Sequence, residues 1–330
     1  MFRTLSLAAL LGFASLAPAL YTDHGHHGVG HVHEVYTFPV NTSVENLAVR
    51  RTGQVLASID PFCADPKPAL VHEFEGYNSL LGIVEVEHDQ FYVAAGNFSV
   101  FTLESVTGWW AIFHVDLSSF RTHENGSVKS AATVEKVADI REGELLNGLG
   151  IFSVEEGLIY AADSGSGIIY LVDVYTGDYW PAIQDPLTIK GAPLPSYPAA
   201  NGVHYHAATQ SVYFTNVAQE VFGRVPVSVN GSQAGAAEII VQGSLYDDFW
   251  VDDAGNAIVA VYGNNNIIRV DVASGKSTVI AGNANSTELE SVTAVAWGRT
   301  VRDRGSLYAS RNGGVGSPKV VGGGIMRIDL

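Results

Sequence analysis

The stretch LIYAADSG (158–165), followed two residues later by IIYLVDVYTG (168–177), carries the reading of the fold. Both runs are rich in β-branched and aromatic residues and are punctuated by Asp and Gly, the signature of two strands parted by a turn. YTG at 175–177 supplies a further turn after the second run, as does ASG at 273–275. The same pair recurs in both directions. Runs of the first type are QVLASID (54–60), QFYVAAGN (90–97), SVYFTNVA (211–218), AIVAVYGN (257–264) and SLYASRNG (306–313). Their partners are ALVHEF (69–74), WAIFHVDL (110–117), VFGRVPV (221–227), IIRVDVASG (267–275) and GIMRIDL (324–330). With the central pair this makes six units, spaced by about 50 residues between Leu56 and Tyr308, the length a four-stranded antiparallel blade needs.

The expected fold is therefore all-β, a six-bladed β-propeller. Alternation within the runs gives each strand one face for each neighbouring blade. The chain ends on a strand, and HEVYTFPV (33–40) is the segment expected to complete the last blade and close the ring. A polar insertion, FRTHENGSVKSAATVEK (120–136), reads as a loop, and Trp109-Trp110 as packing between blades.

The chain has 330 residues, 47% of them hydrophobic, 10% aromatic and 16% charged. That composition excludes disorder as the main state. Eighteen basic against 34 acidic residues give a net charge of −16, which excludes a phosphate-tracking surface and so a nucleic-acid partner. The opening MFRTLSLAALLGFASLAPAL has a basic Arg3, an apolar stretch and Ala17-Pro18-Ala19, the pattern of a cleaved secretory signal. The expected organisation is a signal over 1–19, a His/Gly-rich mature terminus over 20–32 (His24, His26, His27 and His31 among it) and one propeller domain over 33–330. No later segment is long and apolar enough to span a bilayer, so a secreted, membrane-free monomer acting on small molecules is expected. Sequons at Asn41, Asn97, Asn125, Asn230 and Asn285 agree with passage through the secretory route. Cys63 is the only cysteine, so no intrachain disulfide can form.

Loops that enter the innermost strands of a propeller converge on its axis. Just before the first-type runs stand Glu45, Asn147, Asn201, Asp247 and Thr293, with only Ser79 offered by the second unit. Glu45, Asn147, Asn201 and Asp247 form an all-oxygen set suited to Ca²⁺ or another divalent cation, and their carboxylates could serve as a base. His204, Tyr205, His206, Phe249 and Trp250 add aromatic and imidazole groups beside them. Asn-Gly and Asp at strand entrances also serve ordinary turns and caps, so structure and chemistry both remain open at each position.

The order Glu45-Asn46-Leu47, Asn147-Gly148-Leu149, Asn201-Gly202-Val203 and Asp247-Asp248-Phe249-Trp250-Val251-Asp252, one per blade, resembles the SMP-30/gluconolactonase-like propellers over residues 40–330. The resemblance implies a divalent cation over the tunnel, held by Glu45, Asn147, Asn201 and Asp247, and hydrolysis of sugar lactones. The chain departs from the family pattern at Asn46-Leu47 and at Asp248. It is also similar to the fungal hetero-Diels–Alderases of tropolone–sesquiterpene biosynthesis in architecture, signal peptide and aromatic funnel. That resemblance implies a cofactor-free cycloaddition of a tropolone-type o-quinone methide with a humulene-type alkene. His204, Tyr205, His206 and Asp247 would then be catalytic, with Phe249, Trp250 and Asn201 binding substrate. The third reading is a non-catalytic ligand-binding propeller.

Overall fold

The computed structural model describes residues 5–10, 29–60, 68–123, 126–189, 197–315 and 320–330. The cleavage motif at 17–19, His24, His26, His27, Cys63 and the sequon at Asn125 lie outside them. The chain is an all-β propeller in which the described helical structure is two 3₁₀ turns, Ala207–Thr209 and Tyr262–Asn264.

From the axis outward, blade II is Ser79–Glu87, Gln90–Gly96, Trp110–Asp116 and Thr133–Ile140, and blade III is Leu146–Ser153, Leu158–Asp163, Ile169–Asp173 and Tyr179–Ile183. Blade IV is Ala200–His206, Ser211–Asn216, Val221–Pro226 and Glu238–Gln242, and blade V is Tyr246–Val251, Ala257–Val261, Asn266–Asp271 and Lys276–Gly282. Blade VI is Val292–Trp297, Ser306–Arg311 and Gly324–Asp329, completed by the N-terminal strand His31–Thr37, which pairs antiparallel with Gly324–Asp329. Blade I has Ser43–Val49 innermost, then Val55–Asp60, with Ala69–Phe74 outermost. Its third place is held by Leu5–Leu10, antiparallel to both neighbours. This strand comes from the stretch that reads as a secretory signal. A chain that keeps it in the blade cannot also have lost it.

The first-type runs are the second strands of their blades. The innermost strands lie just before them, where the sequence suggested loops. A second strand is covered on both faces by neighbouring blades, so Ser211–Asn216 and Ser306–Arg311 are buried along their whole length; such strands read as unbroken apolar runs. The 120–136 stretch is only in part a loop. Arg121–Thr122 and Val128–Ser130 form a small ribbon, and Thr133–Ile140 is the outer strand of blade II. Of the tryptophan pair, Trp110 is 1% exposed with its indole N–H on the Glu144 carbonyl at 3.0 Å, whereas Trp109 is exposed.

Apolar clusters fill each seam between blades, with Tyr160, Phe214 and Phe222 among their largest fully buried side chains. At the ends of the innermost strands opposite the candidate residues, an ionic seam joins the first blades. The Arg50 guanidinium grips Asp89 through Nε at 2.9 Å and Nη2 at 2.6 Å and also donates to the Leu117 carbonyl at 3.2 Å.

Candidate functional site

A break in β-pairing at the same height in each blade builds the site. Between the first and second strands the register shifts between Val44 and Asn46, Leu80 and Ile83, Leu146 and Leu149, Ala200 and Val203, Tyr246 and Phe249, and Val292 and Ala294. A bulge leaves its extra residues unpaired and re-aims their side chains. The bulged residues are Glu45, Leu81-Gly82, Asn147-Gly148, Asn201-Gly202, Asp247-Asp248 and Thr293. The candidates thus sit on the innermost strands themselves. Close approach of neighbouring strands requires glycine here: a Cβ on Gly148 would lie 2.4 Å from the Asn201 carbonyl oxygen, and one on Gly202 2.5 Å from Asp248 Oδ1.

The side chains meet across the axis. Asn147 of blade III donates Nδ2 to Glu45 Oε1 of blade I at 3.3 Å. Asn46 donates Nδ2 to Asp248 Oδ2 of blade V at 2.7 Å. The other Asp248 oxygen accepts the Phe249 N–H at 2.7 Å and faces His204 Nε2 at 3.3 Å. Asn201 hydrogen-bonds the Asp247 carboxyl, while its own Oδ1 is buried with no protein partner.

Three carboxylates share this space. Burial pushes the Glu45 carboxyl up to about 7; the Asn147 hydrogen bond opposes that and the charge of Asp248 adds to it. Asp247 is raised well above the carboxylate range, first by burial and then by the charges of Glu45 and Asp248. Buried like charges without a partner favour a proton or a cation between them. The donor set is all oxygen, which is the chemistry of Ca²⁺ or Mg²⁺, and the unpartnered Asn201 Oδ1 is a neutral ligand of the right kind. Glu45, Asn147, Asn201 and Asp247 therefore fit a divalent cation. Among the described residues the acidic cluster whose ligand atoms lie within 4.8 Å of one another is Glu85, His88 and Asp89 rather than the axial carboxylates. There Asp89 is gripped by Arg50 and Glu85 is paired with Arg299, so arginine already supplies the countercharge.

Other candidates are placed differently. Thr293 donates its hydroxyl to the Val44 carbonyl at 3.0 Å and meets Ser310 Oγ at 2.9 Å, tying blade VI to blade I. Ser79 is buried with its hydroxyl unpartnered, but blade II presents the apolar Leu81 at the bulge. Phe249 is 1% exposed, packed on Phe222 and His204. Trp250 packs edge-on to Trp297, and Tyr205 lies against Phe152. His206 contacts Thr209 Oγ1 at 2.9 Å and the Asp253 carbonyl at 3.2 Å, away from the carboxylates. Of the aromatic and imidazole set, His204 brings its side chain to this cluster, through Asp248 Oδ1. The sequons at Asn41, Asn230 and Asn285 are exposed, and that at Asn97 is half-buried.

Asn46 and Asp248 stood in the sequence only as departures from a pattern; here they form the cross-axis bond. Tyr262 and Asn312 drew no notice. Tyr262, in the 3₁₀ turn after the second strand of blade V, takes the Asn312 Nδ2 hydrogen bond at 3.0 Å, and its phenol feels the charges of Asp247 and Glu45.

No protein-family model matches the chain, and no curated sequence does. Solved structures do. A luciferin-regenerating enzyme superposes with a TM-score of 0.59 at 13% identity, over 91% of this chain and 95% of its own. A calcium-binding protein, regucalcin, from Agrobacterium tumefaciens str. C58 superposes with 0.53 at 12% identity, over 89% and 95%. A chain of a nidogen/laminin complex does so with 0.51 at 12% identity, over 82% and 84%. At such identities the likeness is one of fold. One neighbour bears an enzyme's name and another comes from a protein–protein complex, so the fold leaves the function to the site.

Proposed function

We propose that the chain is a metal-dependent hydrolase of small cyclic esters, with one divalent cation, Ca²⁺ by the chemistry of its ligands, over the axis of a six-bladed ring. The observation that supports it is the buried Asn201 Oδ1, without a protein partner, on the residue that hydrogen-bonds Asp247, in a site where burial first and neighbouring carboxylate charge second hold Asp247 and Glu45 above their ordinary range. A cation there would polarise a lactone carbonyl and favour deprotonation of water. Glu45, Asn147, Asn201 and Asp247 would hold it. Asp248, fixed by Asn46, His204 and the Phe249 N–H, keeps the ring in shape. An axial carboxylate would accept the proton of the attacking water. Secretion, glycosylation and a monomeric state belong to the same proposal.

The test is calorimetric titration of Ca²⁺ into chelator-treated protein, paired with hydrolysis of a sugar lactone. One site per chain with chelator-sensitive turnover is expected. A Glu45→Gln, Asp247→Asn double variant that kept full activity would remove the metal role.

A second reading, cycloaddition of a quinone methide with a terpene alkene, has one observation in its favour. The His204 side chain is 32% exposed and held by Asp248, so its imidazole is available to polarise a carbonyl. Against it, Phe249 is buried and Trp250 packs on Trp297, which leaves the aromatic pocket unassembled. Unchanged rate and stereochemistry with and without the protein would dismiss it.

A further inference from the structure

The N-terminal strand His31–Thr37 closes the ring by pairing with Gly324–Asp329, and it carries two imidazoles to that seam. The register sets His31 opposite Asp329, Val32 opposite Ile328 and His33 opposite Arg327. Side chains of a cross-strand pair share one face of the sheet, as do residues two apart on one strand. Val32 and Ile328 turn into the apolar cluster between blades V and VI. His31, His33, Arg327 and Asp329 therefore stand together on the opposite face, where both histidines are exposed.

The Asp329 carboxylate is held in place from one side. Its Oδ1 accepts the Ser306 hydroxyl at 2.6 Å and Arg327 Nε at 2.8 Å. Its Oδ2 faces His33 Nε2 at 3.5 Å. Two ligands of a tetrahedral zinc ion, each roughly 2.0–2.1 Å from the metal, stand about 3.3 Å apart. The imidazole nitrogen and the carboxylate oxygen thus already have the spacing of a chelating pair. His31 lies directly across from Asp329 and one pleat along from His33, about 7 Å between Cα atoms. The three ligand atoms are not within 4.8 Å of one another in this conformation. The third ligand arrives by rotation of the exposed His31 side chain, since surface rotamers interconvert freely.

We propose that His31, His33 and Asp329 form a surface site for a divalent transition metal, Zn²⁺, apart from the axial carboxylates and independent of the hydrolase reading. Two imidazoles and one carboxylate suit Zn²⁺ rather than Ca²⁺, which takes about 6–8 oxygens. Water fills the fourth position. The ion joins the closing strand to the penultimate residue of the chain, so it clamps the two strands whose pairing completes the ring. The Arg327 charge, on Oδ1 of the same carboxylate, works against the ion and keeps the affinity below that of a buried structural site.

The test is calorimetric titration of Zn²⁺ into the full chain in excess Ca²⁺, which competes at any all-oxygen site. One zinc per chain is expected, and His31→Gln, His33→Gln and Asp329→Asn should each weaken it by about tenfold or more. A His24→Gln, His26→Gln, His27→Gln triple variant should bind as the wild type does. Both strand histidines are exposed, so their metal-free variants should melt with the wild type. Zn²⁺ should raise the melting temperature of the wild type and not that of His33→Gln, because the ion binds the paired strands. Binding that survives in a His31→Gln, His33→Gln double variant and vanishes in the triple variant would place the zinc on the segment before the strand and overturn the proposal. A wild type that binds no zinc would overturn it too, as would an Asp329→Asn variant of unchanged affinity.

Discussion

Asn46 and Asp248, 202 residues apart in sequence, are joined by a 2.7 Å hydrogen bond across the axis. Blades I and V are not neighbours, so this bond and the Asn147–Glu45 bond act as crossbars through the centre of the ring. The Asn46 amide is itself anchored, since its Oδ1 accepts the Leu47 N–H at 2.8 Å and its backbone N–H donates to Ser58 Oγ at 2.9 Å. Two asparagines thus hold two acidic groups in place without neutralising them, which leaves the site negative and preorganised for a cation.

Replacing Asn46 by Ala should leave Asp248 Oδ2 buried and unpaired. A cost of about 1–3 kcal/mol is expected, read as a fall in the denaturant midpoint at constant slope. Cation affinity should fall with it, because the carboxylate ring loses its brace. An unchanged midpoint would mean that water replaces the amide without penalty and that the crossbar is not a structural element.

The sequence shows the strand pairs of the blades well, because second and third strands are buried on both faces and read as apolar runs. The innermost strands are harder to see. Asn147-Gly148, Asn201-Gly202 and Asp247-Asp248 interrupt them with residues that ordinarily make turns, so their sequence resembles that of loops. The recurrence of a polar residue before each run was enough to name Glu45, Asn147, Asn201 and Asp247. Which of two adjacent polar residues faces the cation and which braces the ring depends on the bulge, and a bulge has no composition of its own. Tyr262 was hidden in the tail of AIVAVYGN, where it looked like one more strand residue.

The raised carboxyls make a prediction about pH. A carboxyl whose pKa is higher in the folded protein than in the unfolded chain binds more protons when folded, so stability falls as pH rises between the two values. For Glu45 that window runs from its ordinary 4.5 to about 7, and the loss attributable to it is at most about 3 kcal/mol. Melting of chelator-treated protein should therefore drop across this range, and Ca²⁺ should restore it above neutrality. A melting temperature flat from pH 4.5 to 7 in chelator would contradict the burial of charge at the axis.

Glu45→Gln separates stability from function. Removing a buried carboxylate that is repelled by Asp248 should raise the stability of the metal-free protein at pH 8, by about 1 kcal/mol or more. The same change should weaken Ca²⁺ binding by at least about tenfold, since a charged ligand becomes a neutral one. Calorimetry and thermal melts on one preparation give both numbers. A variant less stable without metal would show that Glu45 serves packing rather than charge.

Asp89→Asn probes the opposite end of the ring. Arg50 is buried and has both Nε and Nη2 on this carboxylate, so the variant strands a cation, at a cost of about 3–5 kcal/mol. An Arg50→Met, Asp89→Leu pair should recover much of that loss, because two apolar groups of similar size can fill the space without a charge to solvate. If the double variant is as unstable as the single one, the seam depends on the Arg50 bond to the Leu117 carbonyl and not on the ion pair.

Leu5–Leu10 pairs with Val55–Asp60 on one side and with Ala69–Phe74 on the other, always antiparallel. Those two strands are therefore parallel to each other and a strand's width apart. A chain begun at Leu20 leaves two rows of buried backbone groups without partners, which proteins rarely tolerate. Compared with the chain expressed from Met1, it should melt several degrees lower, at roughly 2–4 °C for each kcal/mol lost. Amides of Val55–Asp60 and Ala69–Phe74 should exchange faster, with blades III and IV unchanged. Equal protection in the two chains would show that the hexapeptide is dispensable to the blade and free to leave as a secretory signal. Faster exchange, together with N-terminal sequencing of exported protein that begins before Leu5, would show that it stays.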